Sequence, residues 1–455
     1  MIPPKPRTRP DRVSLLQYLR LFRRDILSAQ PARLYRAWMA EFRTPFFRSY
    51  LCNDPALVGL VLKARPDDFP KSNRVREGLS PLLGQSVFLT NGEAWQRQRR
   101  IIDPAFEGGK VKEAFPAMRA AALSARDRIA RQAGKALEIE SEASHGAADV
   151  IFRILFSIPI ENEIAARVFS QFRNHQRSQP LLNLAAFVPL PGWFPRFHRR
   201  AARRTAMEIR TLIARLVDER MKDIHAGTAP ADLATKIMTT VDPATGTGFD
   251  ADEMIDQVAI FFLAGHETSA SALAWALYLL AADQEAQEKV AREVNGIKDN
   301  LEFSDISRLE FTRNVFREAL RLYPPVPMMV RENRHPETFR ARDVRRGSQI
   351  VVSPWHIHRH ERIWDNPDAF DPDRWRAPEA RQSVRQGFLP FSAGPRVCPG
   401  AGIAMIEGVL FLALLVRDLR FSPAGGQDPV PVAHLTVRAK DGIMLAVHRR
   451  GEGGR

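Results

Sequence analysis

The sequence predicts a mainly helical fold with small β-sheets. Its longest periodic segments repeat apolar residues at helical spacing, whereas its strand-like segments are short. The helical candidates are 111–225 with a break near 178–197, 250–282, 311–322 and 401–416. The strand candidates are 46–51, 327–331, 349–352 and a terminal hairpin formed by 435–437 and 443–447.

The composition is that of an ordinary globular protein, with 45% hydrophobic and 26% charged residues among 455. A net charge of +15 favours acidic partners such as an anionic membrane, an acidic protein or an anionic cofactor. Nucleic acid is not expected as a partner, because zinc-finger, homeodomain and RNA-recognition signatures do not occur. Cys52 and Cys398 provide no disulfide framework, so a reducing, cytoplasmic location is expected.

The two ends of the basic N-terminal region have different compositions. Residues 1–13 are rich in Pro and Arg and are expected to form a flexible basic arm ahead of one domain over 14–450. The segment 15–24 is amphipathic and basic; a helix packed on the body is favoured, and weak peripheral membrane contact is the alternative.

The apolar stretch 181–197, followed by basic residues to 204, fits either a lid over a pocket or a membrane-facing patch.

The first half of the chain offers weak local signals. Asp54 and Pro55 open a short helix through Leu62, while 71–88 is expected to be irregular. A helix beginning near 91 places Trp95 and Arg99 four residues apart on one face. Alone, this pair is more simply a core tryptophan beside an exposed arginine.

The middle of the predicted helix 250–282 breaks several local rules at once. Gly265 costs about 1 kcal/mol relative to Ala, and Glu267 is costly to bury among its apolar neighbours. Thr268 can bond to the carbonyl one turn back and distort the helix. These features together indicate a functional site, with Gly265 leaving room for a flat ligand.

A cysteine precedes the last long helix, in a loop that runs from Phe391 to Gly400. The helix dipole and the free N–H groups of the first turn favour a thiolate at Cys398. A thiolate is a nucleophile or a metal ligand, and a buried structural cysteine is the third alternative.

This loop resembles the haem-binding loop of the cytochrome P450 family, through its spacing Phe-x-x-Gly-x-Arg-x-Cys-x-Gly. Four further motifs follow the family's order, so the resemblance covers essentially the whole chain. They are Trp95 with Arg99, Ala264 to Thr268, Glu318 with Arg321, and Arg374. The resemblance implies a soluble, bacterial-type member with a single, mostly helical haem domain and a small β-rich region.

The resemblance also implies a role for each matching residue. Cys398 would be the thiolate ligand of the iron of haem b, shielded by Phe391, with Gly394 and Gly400 shaping the loop. Thr268 would form a hydrogen bond with dioxygen in a groove made with Ala264 and Gly265, and Glu267 would connect it to a proton relay. The expected propionate-binding residues are Trp95, Arg99, Arg331 and Arg396; the expected structural network is Glu318, Arg321 and Arg374; the expected pocket residues are Met328, Met329 and Leu435.

The implied reaction inserts one oxygen atom of O2 into a hydrophobic organic substrate, by hydroxylation or epoxidation. A ferredoxin or flavodoxin with its NAD(P)H-dependent reductase is expected to supply electrons, and the protein is expected to be a monomer. Two alternatives stay open: a peroxide-driven hydroxylase, and a non-catalytic haem-thiolate protein that senses a ligand or carries electrons. The substrate itself is not indicated.

Overall fold

The protein is described here by a computed structural model covering residues 1–43, 48–107, 109–178, 200–433 and 435–451, without the side chains of 176–178 and 200–202. The fold is mainly helical with small sheets, as predicted. The helices are α1 Leu15–Arg24, α2 Pro55–Gly59, α3 Asn73–Leu83, α4 Gly92–Ile102, α5 Lys110–Ala130, α6 Ile139–Phe156, α7 Glu163–Ser178, α8 Arg200–Ala226, α9 Leu233–Thr239, α10 Ala251–Ala282, α11 Gln284–Asn295, α12 Glu310–Leu322, α13 Pro354–Ile357, α14 Ala380–Gly387 and α15 Ala401–Asp418.

Short strands form four small sheets. The largest has the order β1-β2-β7-β4, in which β2 and β7 are parallel and the other neighbours antiparallel. A three-stranded antiparallel sheet has the order β3-β11-β8, and the two remaining sheets pair β5 with β6 and β9 with β10. The strands are β1 Met39–Arg43, β2 Arg48–Cys52, β3 Ala136–Glu138, β4 Met329–Glu332, β5 Glu337–Phe339, β6 Arg342–Val344, β7 Gln349–Val352, β8 Leu419–Pro423, β9 Pro431–Ala433, β10 Val437–Ala439 and β11 Met444–Arg449.

The helix α10 runs through the centre of the molecule, and its bounds match the predicted segment. Asp250 caps it: the Asp250 side chain accepts from the N–H of Glu253, whose side chain accepts from the N–H of Asp250. Most of the helix is buried, chiefly against α6. Near its C-terminal end, the Trp275 ring stacks on Tyr323, with centroids 3.9 Å apart. Such burial explains how a 32-residue helix is stable despite its polar centre.

Two predictions of local structure are wrong. The segments 435–437 and 443–447 do not pair as a hairpin: β10 pairs with β9, whereas β11 lies between β3 and β8. The segment 71–88 is not irregular throughout, because α3 occupies Asn73–Leu83 with Ser72 as its N-cap. The other strand segments are present as β2, β4 and β7, although residues 44–47 lie outside the described residues.

The N-terminal region lies on the body of the protein. Within residues 1–13, which were expected to form a flexible arm, Met1 accepts a hydrogen bond from the N–H of Phe370, and Pro4 accepts one from the Tyr323 hydroxyl. The following helix α1 has no buried residue. Among the described residues, no helix is both long and apolar enough to cross a membrane. The apolar stretch 181–197 lies outside the described residues.

Candidate active site

The loop before α15 is held in one conformation by its backbone. The N–H of Cys398 donates to the carbonyl of Phe391 at 3.0 Å, and the carbonyl of Cys398 accepts from the N–H of Ala401 at 3.3 Å. Gly394 has a φ of +70°, and a Cβ at this position would overlap the carbonyl oxygen of Leu62. Glycine is therefore required at 394, both for its backbone conformation and for the close approach of the loop to the segment after α2.

Cys398 faces open space within the protein. Its side chain is exposed to solvent, yet the surrounding protein raises the pKa of its thiol by desolvation. The N–H of Gly400 and the charge of Arg99 act in the opposite direction and lower that pKa. A thiol that lines an internal cleft has both properties: it is accessible to solvent, and the surrounding protein raises its pKa. Cys52, by contrast, is fully buried.

The centre of α10 carries a narrow open stripe. Between Asp256 and Ala281, the residues that are not buried are Phe261, Ala264, Gly265 and Thr268. Their spacing of three, four and seven residues places them on one face of the helix. The Thr268 hydroxyl donates to the carbonyl of Ala264, one turn back. One face of an otherwise buried helix is therefore left open along two turns, with a hydroxyl on it.

Phe106 connects this stripe to the cysteine loop. Its ring centroid is 5.8 Å from that of Phe261. The same ring lies 4.0 Å from the position that a Cβ of Gly400 would occupy. The open stripe and the cysteine loop therefore border the same region of the protein. Sequence reasoning missed Phe106, because its own neighbourhood carries no motif.

Gly265 is explained by helix packing. A Cβ at this position would overlap the side chain of Ile151 on α6. The glycine thus permits α6 and α10 to approach closely, which differs from the expectation that it leaves room for a flat ligand. The open surface on this turn of α10 comes from Ala264 and Thr268, one on each side of the glycine in the open stripe.

Glu267 points away from the open stripe into an ion pair with Arg438 that is buried only on the carboxylate side. Its Oε1 accepts from Arg438 at 2.6 Å, whereas its Oε2 is buried without a hydrogen-bond partner. Burial raises the pKa of Glu267 to about 7, although the Arg438 charge opposes this shift. Glu267 is therefore a carboxyl group that exchanges a proton near neutral pH, next in the chain to Thr268. The Arg438 side chain is itself 38% exposed.

A cluster of cations lies beside the cysteine loop. Lys71 pairs through its backbone with Arg331 in an isolated antiparallel bridge, and the charges of Arg331, Arg396 and Arg99 act on it. Burial, with those charges, lowers the pKa of Lys71 well below its usual value. Burial likewise lowers the pKa of Arg331 and of Arg396 to about 10. Within the part of the chain that the structure describes, Lys71, Arg331 and Arg396 have no carboxylate within ion-pair distance. Such a cluster is costly unless an anionic group joins it.

Trp95 holds two of the predicted arginines in place. The guanidinium of Arg396 lies 4.2 Å from the centre of the Trp95 ring, and that of Arg99 lies 6.0 Å away. Arg396 also donates to the Asn91 side chain at 2.8 Å, and Arg99 donates to the carbonyl of Val397 at 2.8 Å. The Arg99 bond ties α4 to the residue before Cys398. The structure therefore brings Trp95, Arg99, Arg331 and Arg396 together, with Lys71 as a member that no sequence pattern indicated.

Glu318 is the centre of a buried hydrogen-bond network. Arg321 donates to both of its oxygens, at 2.7 and 2.9 Å, and Arg374 donates at 3.1 Å. The Trp375 indole and the N–H of Asp371 also donate to Glu318, each at 3.1 Å. Arg321 additionally donates to the carbonyls of His358, Pro367 and Ala369. The three predicted members meet, and they fix the long segment before the cysteine loop onto α12.

The three expected pocket residues lie in different surroundings. Met329 opens β4 and packs partly against the core that includes Tyr50 and Ile350. Met328 is half-buried, and Leu435 is 44% exposed. Their part in substrate binding remains a prediction.

The comparisons with known proteins agree with this geometry. The family model "Cytochrome P450" matches residues 35–447. The cyclooctat-9-en-7-ol 5-monooxygenase of Streptomyces melanosporofaciens is 32% identical over 92% of this chain and 90% of its own length. The cyclooctatin synthase of the same organism is 29% identical over 86% and 84%. A solved cytochrome P450DA heme domain has a TM-score of 0.80 at 23% identity, covering 99% of this chain and 98% of its own.

Proposed function

The chain belongs to the cytochrome P450 family, and from this premise we propose how its residues serve the reaction. As a member, it is a monooxygenase, an oxidoreductase that binds haem, uses O2 and receives electrons from a redox partner. The bound haem supplies the iron chemistry that activates O2 and transfers one oxygen atom to the substrate.

Cys398 binds the haem iron as a thiolate. One observation carries this assignment: an accessible cysteine lies inside the protein, beside a cluster of cations that lack carboxylate partners. A bound metal ion favours the deprotonated thiol, in the same direction as the Gly400 N–H and Arg99. Phe391 shields the sulfur on the side where its carbonyl already fixes the Cys398 backbone.

The cation cluster holds the two propionates of the haem. Arg331, Arg396 and Lys71 are available for charge-assisted hydrogen bonds, and Arg99 adds a fourth charge while it remains paired with Asp103 at 2.7 Å. Trp95 keeps the guanidinium of Arg396 oriented. The dianionic edge of the cofactor would balance the charges that the described residues leave uncompensated.

The open stripe of α10 forms the oxygen-binding side. The Thr268 hydroxyl donates its single proton to the Ala264 carbonyl, so its oxygen can accept a hydrogen bond in the cleft, and it would have to release Ala264 before donating one there. Glu267 takes up and releases a proton at its unpartnered Oε2 near neutral pH, as its raised pKa supports. Glu267 and Thr268 do not bond to each other directly and lie on different faces of α10, so the proposed proton relay between them needs at least one intervening group. Arg438 keeps the Glu267 side chain in position.

The substrate is a hydrophobic organic molecule that undergoes hydroxylation or epoxidation. The apolar members of the open stripe, Phe261 and Ala264, support this class. So does the name of the relative that acts on cyclooctat-9-en-7-ol, an unsaturated alcohol. Met328, Met329 and Leu435 are proposed to line or border the substrate pocket.

Electrons are supplied to the protein by a ferredoxin or flavodoxin with its NAD(P)H-dependent reductase, and the protein acts as a monomer in the cytoplasm. The net charge of +15 supports association with an acidic electron carrier. Reconstitution with a surrogate ferredoxin pair and, separately, with a flavodoxin pair tests this part of the proposal.

The test of the assignment is Cys398→His, with Cys52→Ala as the matched control. The histidine variant should keep the fold and retain haem, but lose the far-red-shifted carbon monoxide spectrum and the oxygenation. The control should keep both the carbon monoxide spectrum and the oxygenation, because Cys52 is buried on β2, between β1 and β7. Oxygenation by Cys398→His would show that the thiolate assignment is wrong.

Turnover measurements distinguish the proposed O2-dependent reaction from two alternative functions. A peroxide-driven hydroxylase would form product with peroxide and show no dependence on the electron carrier. A ligand sensor or electron carrier would bind haem, yet form no product with any of a panel of apolar substrates that shift the haem spectrum. The buried, titratable Glu267 beside Thr268 favours the O2-dependent reaction.

A further inference from the structure

The helix α1, Leu15–Arg24, differs from the rest of the molecule because none of its residues is buried. Leu15, Leu16 and Leu19 are 43%, 80% and 36% exposed. The inward side of the helix carries Tyr18 and Phe22, one turn apart, with ring centroids separated by 5.6 Å. Three leucines therefore face solvent from a single surface helix. Single exposed leucines are ordinary on a protein surface, but three on one helix call for an explanation.

The region 7–24, which ends with α1, presents a set of exposed cations. Its exposed arginines form no ion pair within the described residues, in contrast to Lys5, which pairs with Asp368, and Arg9, which donates to the carbonyls of Ala29, Pro10 and Asp11. These exposed arginines are Arg7, Arg12, Arg20, Arg23 and Arg24. Leu16 lies between Arg20 and Arg23 around the helix circumference, so apolar and cationic groups share one face.

The helix is capped at its N-terminus and is fixed to the body at its C-terminal end. Ser14 caps its N-terminus by accepting from the N–H of Gln17 at 3.2 Å. At the other end, Asp25 accepts from the N–H groups of Leu27 and Ala433, at 3.0 and 2.8 Å. Arg9 lies over the ring of Tyr18, 5.6 Å from its centre. The leucines and arginines are therefore presented as a surface with a defined orientation.

We propose that α1, with Arg7 and Arg12, is a docking surface for an anionic lipid membrane. Apolar side chains enter the interface between headgroups and acyl chains, while the neighbouring arginines contact anionic headgroups. A second copy of the chain would bring like charges together on this face. Nucleic acid would contact the arginines and leave Leu16 unexplained. The protein would thus associate peripherally with the membrane. This association is a property in addition to its oxygenation chemistry.

The experiment is co-sedimentation of the full haem-loaded protein with vesicles of phosphatidylcholine alone and of phosphatidylcholine with about a third phosphatidylglycerol. Binding should require the anionic lipid and should weaken as NaCl rises from about 0.05 to about 0.5 M. Equal binding to both vesicles, or no binding to either, would overturn the proposal. Binding to duplex DNA without binding to anionic vesicles would also overturn it, in favour of nucleic acid.

Two variants and two controls localise the binding. Arg20→Gln, Arg23→Gln and Arg24→Gln together should weaken it about a hundredfold, since each arginine near the surface contributes roughly fivefold. Leu16→Ser with Leu19→Ser should weaken it about tenfold. The matched controls are Arg346→Gln, Arg381→Gln and Arg385→Gln together, all exposed elsewhere, and Val241→Ser, which is 56% exposed. Controls that lose binding equally would refute the role of α1.

A direct reporter keeps the result independent of variant stability. An environment-sensitive fluorophore attached after Leu16→Cys should shift to the blue on adding anionic vesicles, whereas one attached after Val241→Cys should not. Cys52 is buried, and Cys398 is protected in the haem-loaded protein under the proposed function. Gel filtration of the same samples without lipid should show no self-association through this face. A shift at both positions or at neither would contradict the proposal.

Discussion

Ser269 donates a hydrogen bond to Glu407 at 2.8 Å, in the buried contact between α10 and α15. Ser269 follows Thr268 in the chain, and Glu407 lies on the helix that begins after Cys398. The second oxygen of Glu407 is buried without a hydrogen-bond partner, and burial raises the pKa of this carboxyl to about 8. The two helices that border the cleft are thus joined by a carboxyl group that is protonated at neutral pH.

Glu407→Gln should remove a pH dependence of stability. The folded protein binds more protons at Glu407 than the unfolded chain, whose carboxyl has the ordinary pKa of 4.5, so stability should fall as pH rises between about 5 and 8. The variant should match the wild type near pH 5 and exceed it by a few kcal/mol near pH 8. Urea unfolding of both proteins across this pH range measures the difference in stability, with the exposed Glu219→Gln as control. Parallel curves of stability against pH for Glu407→Gln and the wild type would refute the prediction.

Glu318→Gln should lower the free energy of unfolding by about 3 kcal/mol or more, because it leaves the buried charges of Arg321 and Arg374 without their carboxylate. The control is Glu310→Gln on the same helix, whose pair with Arg376 is half exposed on both sides. That change should stay within about 0.5 kcal/mol. Chemical denaturation of both variants measures the free energy of unfolding. Equal losses of stability in the two variants would contradict a special role of the network.

Arg331→Met should change the haem-free and haem-loaded proteins in opposite directions. Without the cofactor, removal of a buried unpaired cation should raise the stability of the protein. With it, the loss of a charge-assisted bond should speed haem transfer to an acceptor protein about tenfold. The exposed Arg334→Met should alter neither. A variant that holds haem as well as the wild type would exclude Arg331 from propionate binding.

Gly394→Ala should destabilise the protein by about 2 kcal/mol or more, because alanine at a φ of +70° would also meet the carbonyl of Leu62. Since the loop carries Cys398, the purified variant should also contain less haem. Gly78→Ala in α3 meets no neighbour and should instead stabilise by about 0.5–1 kcal/mol. Thermal unfolding and haem content per chain test both; a fully loaded, stable Gly394→Ala protein would be the contrary outcome.

Arg438→Met should shift the pH dependence of coupling between electron consumption and product formation. Arg438 lowers the pKa of Glu267, so its removal should raise that pKa above about 7 and move the limb assigned to Glu267 upward by roughly one unit. The exposed Arg449→Met should leave the profile in place. Product per NAD(P)H from pH 6 to about 9 measures this; an unchanged profile would remove Glu267 from proton delivery.

Local patterns predicted what depends on local sequence. The capped helix α10, the (i, i+3) pair Glu318–Arg321 and the cysteine loop each follow from residues close in the chain. The segment 71–88 was mispredicted because its Ser, Pro and Gly suggest a loop, whereas the Ser72 cap and the burial of Leu82 and Leu83 stabilise α3. The terminal hairpin failed because β9 and β8 compete as partners.

Some site residues have no local signal at all. Lys71 acquires its role from the bridge to Arg331, some 260 residues later, and Phe106 from its position between Phe261 and Gly400. The raised pKa of Glu407 arises from burial against α10, which periodicity does not locate. These relationships are products of tertiary packing, and only the folded chain brings the groups together.

The parallel pairing of β2 with β7 has a consequence for biosynthesis. Tyr50 lies beside Ile350, so the edge of β2 that β1 does not cover waits for about 300 further residues before its partner strand exists. At a translation rate of about 5–20 residues per second, this delay lasts roughly 15–60 s. During that time this edge of β2 is unpaired on the ribosome, so the nascent chain is expected to depend on chaperones that shield it until the C-terminal part emerges.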